Sequence, residues 1–204
     1  MSDGIAILVD IVGSRGLADR QAAQGRVEAV FARIHELRPF REPARATTGD
    51  ELQAVSGDLA HALWASGLAR LRLHDDPGVR LGLGAGEFAR VDTRDGSVPD
   101  GSAWWNARAA IDRAHELGQR RSTGFVRCWY VGPHPEGTTS YLLLRDDAVA
   151  RMTDEERTLA AGRLEGRSQE QLAEEAGVTQ SAVSQRLARS GGRALDLADR
   201  ESRA

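Results

Sequence analysis

Three acidic residues lie at positions where a carboxylate indicates a binding or structural role. Asp10 interrupts the apolar run from Ile5 to Val12, and an ionised carboxylate in such a run needs a cation or another partner. Asp50 and Glu51 follow Gly49 in a segment typical of a β-hairpin tip, where glycine tolerates positive φ. A first strand beside this hairpin would bring the carboxylates together, and Mg²⁺ would relieve their repulsion. The pattern predicts a metal site at Asp10, Asp50 and Glu51. The alternatives are a salt bridge from Asp10 to an arginine and a turn-forming role for Asp50.

A short turn directly after the first strand is a candidate phosphate site. Gly13 and Ser14 form the turn, and Arg15 follows them. An arginine at this place can bind a phosphate held over the turn. The alternative is a solvated loop arginine.

The last quarter of the chain has another pattern, with capping signals and helical periodicity. Thr153 with Glu156, and Ser168 with Gln171, have the spacing of a capping box. Gly177 lies in a three-residue turn between predicted helices at 169–176 and 180–190. This arrangement resembles the helix-turn-helix family. Its expected core positions are Leu172, Ala173, Ala176, Val178, Val183 and Leu187.

The second of these helices has the side chains of a DNA-reading helix. Between Gly177 and Leu195 the charged residues are all arginines. Hydroxyl and amide side chains near its N-terminus can bond to base edges, and the arginines can hold phosphates. The predicted DNA-binding residues are Thr179, Gln180, Ser181, Ser184, Gln185, Arg186 and Arg189. The alternative is a helical cap or dimerisation domain with a solvated arginine face.

The elements that must position these residues are read from periodicity and turn signals. Strands are predicted at 4–12, 44–48, 51–55, 79–91, 124–131 and 140–144, and helices at 17–37, 58–73 and 104–117. The segment 131–139 is predicted to be a loop, and the glycines of strand 79–91 to allow a bend or a close approach by a backbone or ligand. This order predicts an α+β fold, a ferredoxin-like antiparallel sheet domain at 1–150 followed by a small all-α helix-turn-helix domain at 151–204.

Composition excludes several classes of protein. All 27 basic residues are arginine, so a P-loop lysine and a Schiff-base lysine are absent. One cysteine allows no internal disulfide, and the scattered histidines predict no zinc site. No apolar run approaches the ~20 residues of a membrane span, and no basic residue precedes the first apolar stretch. A cytoplasmic protein without membrane contact is expected.

Four motifs carry a resemblance over nearly the whole chain. ILVDIVGS (7–14) and TGDEL (48–52) look like the two metal motifs of class III nucleotide cyclases, the second also like the signature hairpin of GGDEF cyclases. Together with VRLGLG (79–84) and DGSAWWNAR (100–108), the pattern is most similar to the SatD family. The resemblance implies a cyclase-like N-terminal domain and a C-terminal helix-turn-helix.

The chain departs from active cyclases at two places. Those enzymes select the base with a lysine and an acid, and this chain has no lysine. They also use an asparagine and an arginine one helical turn apart, whereas Asn106 and Arg108 are two residues apart. The resemblance therefore implies a metal-and-phosphate site without the chemistry, and its predicted ligand-binding residues are Gly13, Ser14, Arg15, Gly49, Asn106 and Arg108. No catalytic residue is assigned.

The leading hypothesis is a homodimeric, DNA-binding transcriptional regulator. Its cyclase-like sensory or dimerisation domain would bind a nucleotide with Mg²⁺. The second hypothesis is a two-metal-dependent nucleotidyl transferase or cyclase, with Asp10 and Asp50 holding the metals. The third is an N-terminal domain that keeps only its fold and serves as a dimerisation scaffold. The adjacent Trp104 and Trp105 are expected to diverge, one packing in the core and the other exposed for a dimer contact or for stacking.

Overall fold

The computed structural model describes residues 2–47, 50–74, 78–93 and 96–203. Within these ranges six strands form one mixed sheet. The strands are β1 (Ser2–Ile11), β2 (Glu42–Ala46), β3 (Leu52–Ser56), β4 (Val79–Thr93), β5 (Gly96–Asp100) and β6 (Cys128–Val131). The helices are α1 (Arg20–Leu37), α2 (Leu59–Arg72), α3 (Ser102–Gly118), α4 (Pro135–Arg151), α5 (Asp154–Leu164), α6 (Gln169–Ala176), α7 (Gln180–Ser190) and α8 (Gly192–Glu201).

The sheet has the ferredoxin-like order that the sequence predicts. Strands run in the order β2-β3-β1-β4-β5, and all these neighbours pair antiparallel. β6 pairs with β4 in parallel, which makes the sheet mixed. A parallel neighbour needs a crossover, and α3 supplies it between β4 and β6. The α+β fold class is confirmed, with a helical region after the sheet.

Each face of the sheet carries its own helices. Ile5, Ile7 and Val9 of β1 lie in a cluster with side chains of α1 and α2, whereas Ala6 and Leu8 lie in a cluster with α3. This alternation follows from the two-residue period of a strand. Asp19 and Asp58 cap the N-termini of α1 and α2, and their carboxylates accept the Ala22 and His61 backbone N–H groups at 2.8 Å.

The glycines of β4 let α3 lie directly on the sheet. A Cβ on Gly82 would be 2.3 Å from the Ala107 carbonyl oxygen, and one on Gly84 would be 2.1 Å from the Ala107 nitrogen. The buried face of α3 is itself built of small residues, among them Ala103 and Ala107. The sequence predicts that the glycines of β4 allow a backbone or a ligand to come close, and in the structure the backbone of α3 occupies that place.

The prediction fails between β6 and α5. The predicted strand 140–144 is part of α4, which begins at Pro135 inside the predicted loop, and of the strand predicted at 124–131 only β6 forms. The buried residues of α4 are Leu142, Arg145, Asp146 and Val149, a helical spacing. Two of these four buried residues are charged, so the hydropathy pattern of the sequence does not show the helical period. The β5 strand was also not predicted.

One continuous core joins the sheet to the C-terminal helices. α4 ends at Arg151 and α5 begins at Asp154, close to the predicted boundary at 150, but the cluster of buried apolar residues continues from α2 and α4 into α5, α6, α7 and α8. The Trp64 indole Nε1 donates to the Leu164 carbonyl oxygen at 3.0 Å. The predicted division into two domains stays a prediction.

Polar contacts reinforce this junction. Arg72 donates to the Glu165 carboxylate at 2.6 and 2.9 Å, and Arg38 at the end of α1 donates to both oxygens of Asp199 on α8, each at 2.8 Å. Residues 190–204, which the sequence leaves unassigned, contain α8, and this helix is docked against the remainder of the chain.

Candidate functional site

The turn between α6 and α7 has the geometry that the sequence predicts. Gly177 has φ 64° and ψ 32°, the left-handed region that a residue without Cβ adopts at low cost. The Val178 N–H donates to the Ala173 carbonyl at 3.0 Å, and the Thr179 hydroxyl accepts the Ala182 N–H at 3.2 Å. The chain therefore reverses direction over three residues, and both capping boxes predicted upstream are present.

The two helices are held together by a small apolar core. Leu172 and Ala173 of α6 and Val183 and Leu187 of α7 are buried, as predicted. Ala176 is exposed, so its expected place in the core is wrong. The chain turns immediately after Ala176, and Val178 packs against the core beyond the turn.

The opposite side of α7 presents polar groups. Thr179, Gln180, Ser181 and Gln185 are exposed, and Ser184 is half-buried. The Gln180 side chain makes no hydrogen bond with any residue in the described ranges. The unpaired backbone N–H groups and positive end of the helix dipole lie at the same end of the helix. This end of α7 can accept a phosphate and place amides and hydroxyls against base edges.

The arginines of α7 are engaged by acids of α5. Arg186 donates to Glu155, and Arg189 donates to Glu156 Oε1 at 3.0 Å. The Arg189 side chain is 75% exposed. The Glu156 side chain is 8% exposed, but it keeps the Thr153 backbone N–H as a donor at 3.0 Å when Arg189 leaves it, so a DNA phosphate can replace the carboxylate as the partner of Arg189. This pairing is not predicted above; the sequence signal for it is the acidic first turn of α5, which the helix dipole favours.

At the other candidate site, Asp10 is paired with Arg80. The two residues are register partners on β1 and β4, and Arg80 Nη1 donates to the Asp10 carboxylate oxygens at 3.0 and 2.8 Å. The Arg80 side chain is buried. This is the salt-bridge alternative that the sequence left open for Asp10. Burial nevertheless raises the pKa of Asp10, with a smaller rise from Asp50, against the lowering effect of Arg80.

Arg80→Gln is expected to destabilise the fold more at neutral than at acidic pH. The folded chain binds the Asp10 proton more tightly than the unfolded chain, so stability falls as pH rises from ~3.9, the ordinary aspartate value, through the raised pKa. Without Arg80 that pKa rises further. Because Asp10 is partly exposed, we expect a loss of about 2 kcal/mol near pH 7, below the ~3–5 kcal/mol of a fully buried pair.

Urea unfolding at several pH values measures this effect. Arg33→Gln is the matched control, since Arg33 pairs with Glu36 on the exposed face of α1, and it is expected to change stability by less than about 0.5 kcal/mol at every pH. An equal loss for Arg80→Gln at acidic and neutral pH would contradict the role given to Asp10.

The hairpin carboxylates are also close to α3. Glu51 accepts a hydrogen bond from Arg108 Nη2 at 2.6 Å. Within the described ranges, Asp50 makes no ion pair, but its charge acts on Asp10. His115 lies seven residues after Arg108 on α3, and its charge lowers the pKa of Asp10 slightly. Asp10, Asp50 and Glu51 thus lie at the same end of the sheet, together with Arg80 and Arg108.

Asn106 lies away from the Asp10 pair, near the middle of β4. Its Nδ2 donates to the Ala85 carbonyl at 2.8 Å, and Ala85 is five residues beyond Arg80 on β4. At ~3.4 Å per residue this places it about 17 Å from the Asp10 pair along the strand. Asn106 and Arg108 therefore do not act on one group, as their spacing implied.

The turn after β1 adds a backbone feature. Gly13 has φ 69° and leads into a short 3₁₀ turn that contains Ser14. The Arg15 side chain and Gly49 lie outside the described part of the chain. The phosphate role of these four residues stays a prediction.

Two of the three predicted metal-binding carboxylates are paired with arginines in this structure. Asp10 and Glu51 each bind an arginine, whose positive charge opposes a second cation. Over the described ranges no cluster of three or more metal-ligating side chains is found. A magnesium ion at Asp10, Asp50 and Glu51 would compete with Arg80 and Arg108 for two of the three carboxylates. Arg80 is not among the predicted site residues, because its position directly opposite Asp10 follows only from the strand register.

The two tryptophans diverge as expected. Trp104 is partly buried against the cluster under α3, and Trp105 is 68% exposed. Neighbouring residues of a helix point about 100° apart, which explains the difference. Whether Trp105 contacts a partner stays a prediction.

Comparison with known proteins gives one family. The model of the SatD family matches residues 4–125, which is more than half of the chain and covers α1, α2, α3 and the sheet except for β6 and the start of β1. A search of curated proteins finds no match. None of the helices in the described ranges is long and apolar enough to cross a membrane.

Proposed function

This chain belongs to the SatD family, and we propose that it is a homodimeric DNA-binding transcription regulator that reads its operator with α7. The observation that carries the proposal is the α6–α7 pair. A left-handed glycine turn positions a second helix whose buried residues face the core and whose N-terminal polar residues face outward. A recognition helix enters the major groove with those N-terminal residues against the bases.

In this proposal the residues of α7 divide by function. Thr179, Gln180, Ser181, Ser184 and Gln185 contact base edges or neighbouring phosphates. Arg186 and Arg189 exchange their α5 carboxylates for DNA phosphates. The carboxylates then act as a built-in competitor, which weakens non-specific binding because every contact must first break an ion pair.

The proposal gives the N-terminal domain a sensory or dimerising role. The buried junction between α2 and α5 supports it, because a change at the sheet alters the surface on which the C-terminal helices rest. Coupling requires that a ligand bind two arrangements of the junction differently. Binding of a nucleotide with Mg²⁺ at the acidic end of the sheet stays a prediction, and we assign it no chemical step.

Selection of bound sequences from a random duplex library by the full chain tests DNA binding, and the selected site then serves in titrations. The dimer predicts two half-sites about 34 Å apart. Gln180→Ala is expected to cost about 1–3 kcal/mol on that site and to relax its sequence preference at one base pair of each half-site. Arg189→Ala is expected to reduce the slope of log affinity against log salt by about 0.9 per protomer.

Matched substitutions on α1 serve as controls. Gln21→Ala and Arg33→Ala remove an exposed amide and an exposed arginine there, and both are expected to leave DNA binding unchanged. Failure of the library to yield any preferred sequence, or an equal effect of Arg33→Ala and Arg189→Ala, would overturn the proposed interface.

A further inference from the structure

A cavity lies between the sheet domain and the C-terminal helices. Its volume is about 280 Å³, at the lower end of the ~300–1,000 Å³ of small-molecule sites. Side chains of α2, α4, α5 and α8 form its walls. The apolar part of the lining comes mainly from Leu63, Trp64, Tyr141, Leu164 and Leu195. Two aromatic residues and three leucines suit a flat, apolar body.

Two polar groups at the walls have hydrogen-bonding capacity to spare. The Tyr141 hydroxyl makes no hydrogen bond with any residue of the described ranges. Arg145, which is 2% exposed, donates from Nη1 to the Leu63 carbonyl and to Ser66, but its buried Nε has no acceptor among the described residues. Burial raises the pKa of Tyr141, so the phenol stays protonated and can donate. Both groups are donors; the Tyr141 hydroxyl is the one that a ligand acceptor in the cavity can reach, because the Arg145 Nε is fully buried.

The charges at the walls favour an anion. Arg145 has the adjacent Asp146 as its carboxylate partner at 3.2 Å. Arg70 shares this carboxylate at 3.8 Å. Asp199, which lines the cavity, accepts from two guanidinium groups, Arg38 and Arg203, at 2.8 and 2.6 Å. These ion pairs contain four guanidinium groups and two carboxylates, so an anionic ligand reduces the excess of positive charge.

We propose that this cavity binds a small aromatic carboxylate, whose ring packs against Trp64, Tyr141 and Leu195 and whose carboxylate accepts from the Tyr141 hydroxyl. The site lies where α8 closes over α2 and α4, so the bound anion contacts both the sheet domain and the C-terminal helices. The ligand is expected to bind the chain in the absence of DNA, so this proposal does not depend on the proposed DNA contacts.

Gly137 offers a way to fill the cavity without disturbing the fold. It lies on α4 in the cavity wall, and a Cβ there meets nothing within 4 Å. Leucine is also a better helix former than glycine by about 1 kcal/mol. Gly137→Leu should therefore fold and occupy the space that the ring would take. Gly25→Leu on α1 is the matched control, because Gly25 is helical, exposed and equally open.

Isothermal titration calorimetry of the full chain without DNA tests the proposal, with benzoate, salicylate and phenylacetate as probes and benzamide as the uncharged comparison. At least one carboxylate is expected to bind one per chain and at least tenfold more tightly than the amide. Tyr141→Phe is expected to weaken that carboxylate about tenfold or more, as for a hydrogen bond to a charged group. Gly137→Leu is expected to abolish binding, while Gly25→Leu retains it.

Several outcomes would overturn the site. They are the absence of binding for all three carboxylates at millimolar concentration, equal binding of benzamide, and unchanged binding to a Gly137→Leu chain whose thermal unfolding shows that it is folded. Because no DNA is present, these outcomes are independent of the operator experiments.

Discussion

Gly84→Val is expected to destabilise the chain by about 3 kcal/mol or more, the upper end of the range for overpacked cores. A Cβ at this position would lie 2.1 Å from the Ala107 nitrogen and 2.2 Å from the Ala103 carbonyl oxygen. Both atoms belong to the α3 backbone, which cannot rotate aside as a side chain can. The helix must therefore move away from β4 or the strand must bend, and either change opens the packed cluster beneath α3.

Urea unfolding followed by circular dichroism measures this loss. Gly25→Ala is the control, because its Cβ enters open space on α1 and alanine favours a helix, so a gain of about 0.5–1 kcal/mol is expected. A Gly84→Val chain as stable as the parent would show that α3 does not lie this close to the sheet.

Asp146→Asn is expected to cost about 3–5 kcal/mol, although it hardly changes the side-chain volume. Asp146 is fully buried, and its Oδ2 accepts the backbone N–H groups of Arg127 and Cys128, each at 2.7 Å. Its Oδ1 accepts from the buried Arg145 at 3.2 Å. The amide has no charge and one acceptor oxygen instead of two, so Arg145 loses its counter-ion. The asparagine NH₂ group must in addition face either Arg145 or the two backbone N–H groups, which are all donors.

The neighbouring Asp147 supplies the control for this substitution. Asp147 lies on the outer side of α4 and pairs with the exposed Arg151, so Asp147→Asn is expected to change stability by less than about 0.5 kcal/mol. Equal losses of unfolding free energy for the two asparagine variants would mean that the buried carboxylate contributes no more to stability than the exposed one.

The sequence predicts those parts of the fold in which local signals agree with packing. Alternating or continuous apolar residues mark β1 and β4, and the glycine before Asp50 marks the hairpin. In the C-terminal helices, capping residues, periodicity and Gly177 all point to the same boundaries, and the helices 169–176 and 180–190 begin and end where predicted.

The remainder depends on contacts between distant residues. α4 was not recognised because its buried face includes Arg145 and Asp146, whose compensation comes from α2 and β6. Similarly, the pairing of Asp10 with Arg80 depends on a register between strands 70 residues apart. Charge type alone cannot distinguish a carboxylate that awaits a cation from one that already has an arginine.

The core that runs unbroken from the sheet into α8 also limits how the chain can be divided. A fragment cut at residue 151 would lose the surfaces against which Leu159, Leu164 and Leu195 are buried, and the indole of Trp64 would lose its acceptor. The same packing limits domain exchange, because a C-terminal region taken from another protein would need an apolar face that fits α2 and α4.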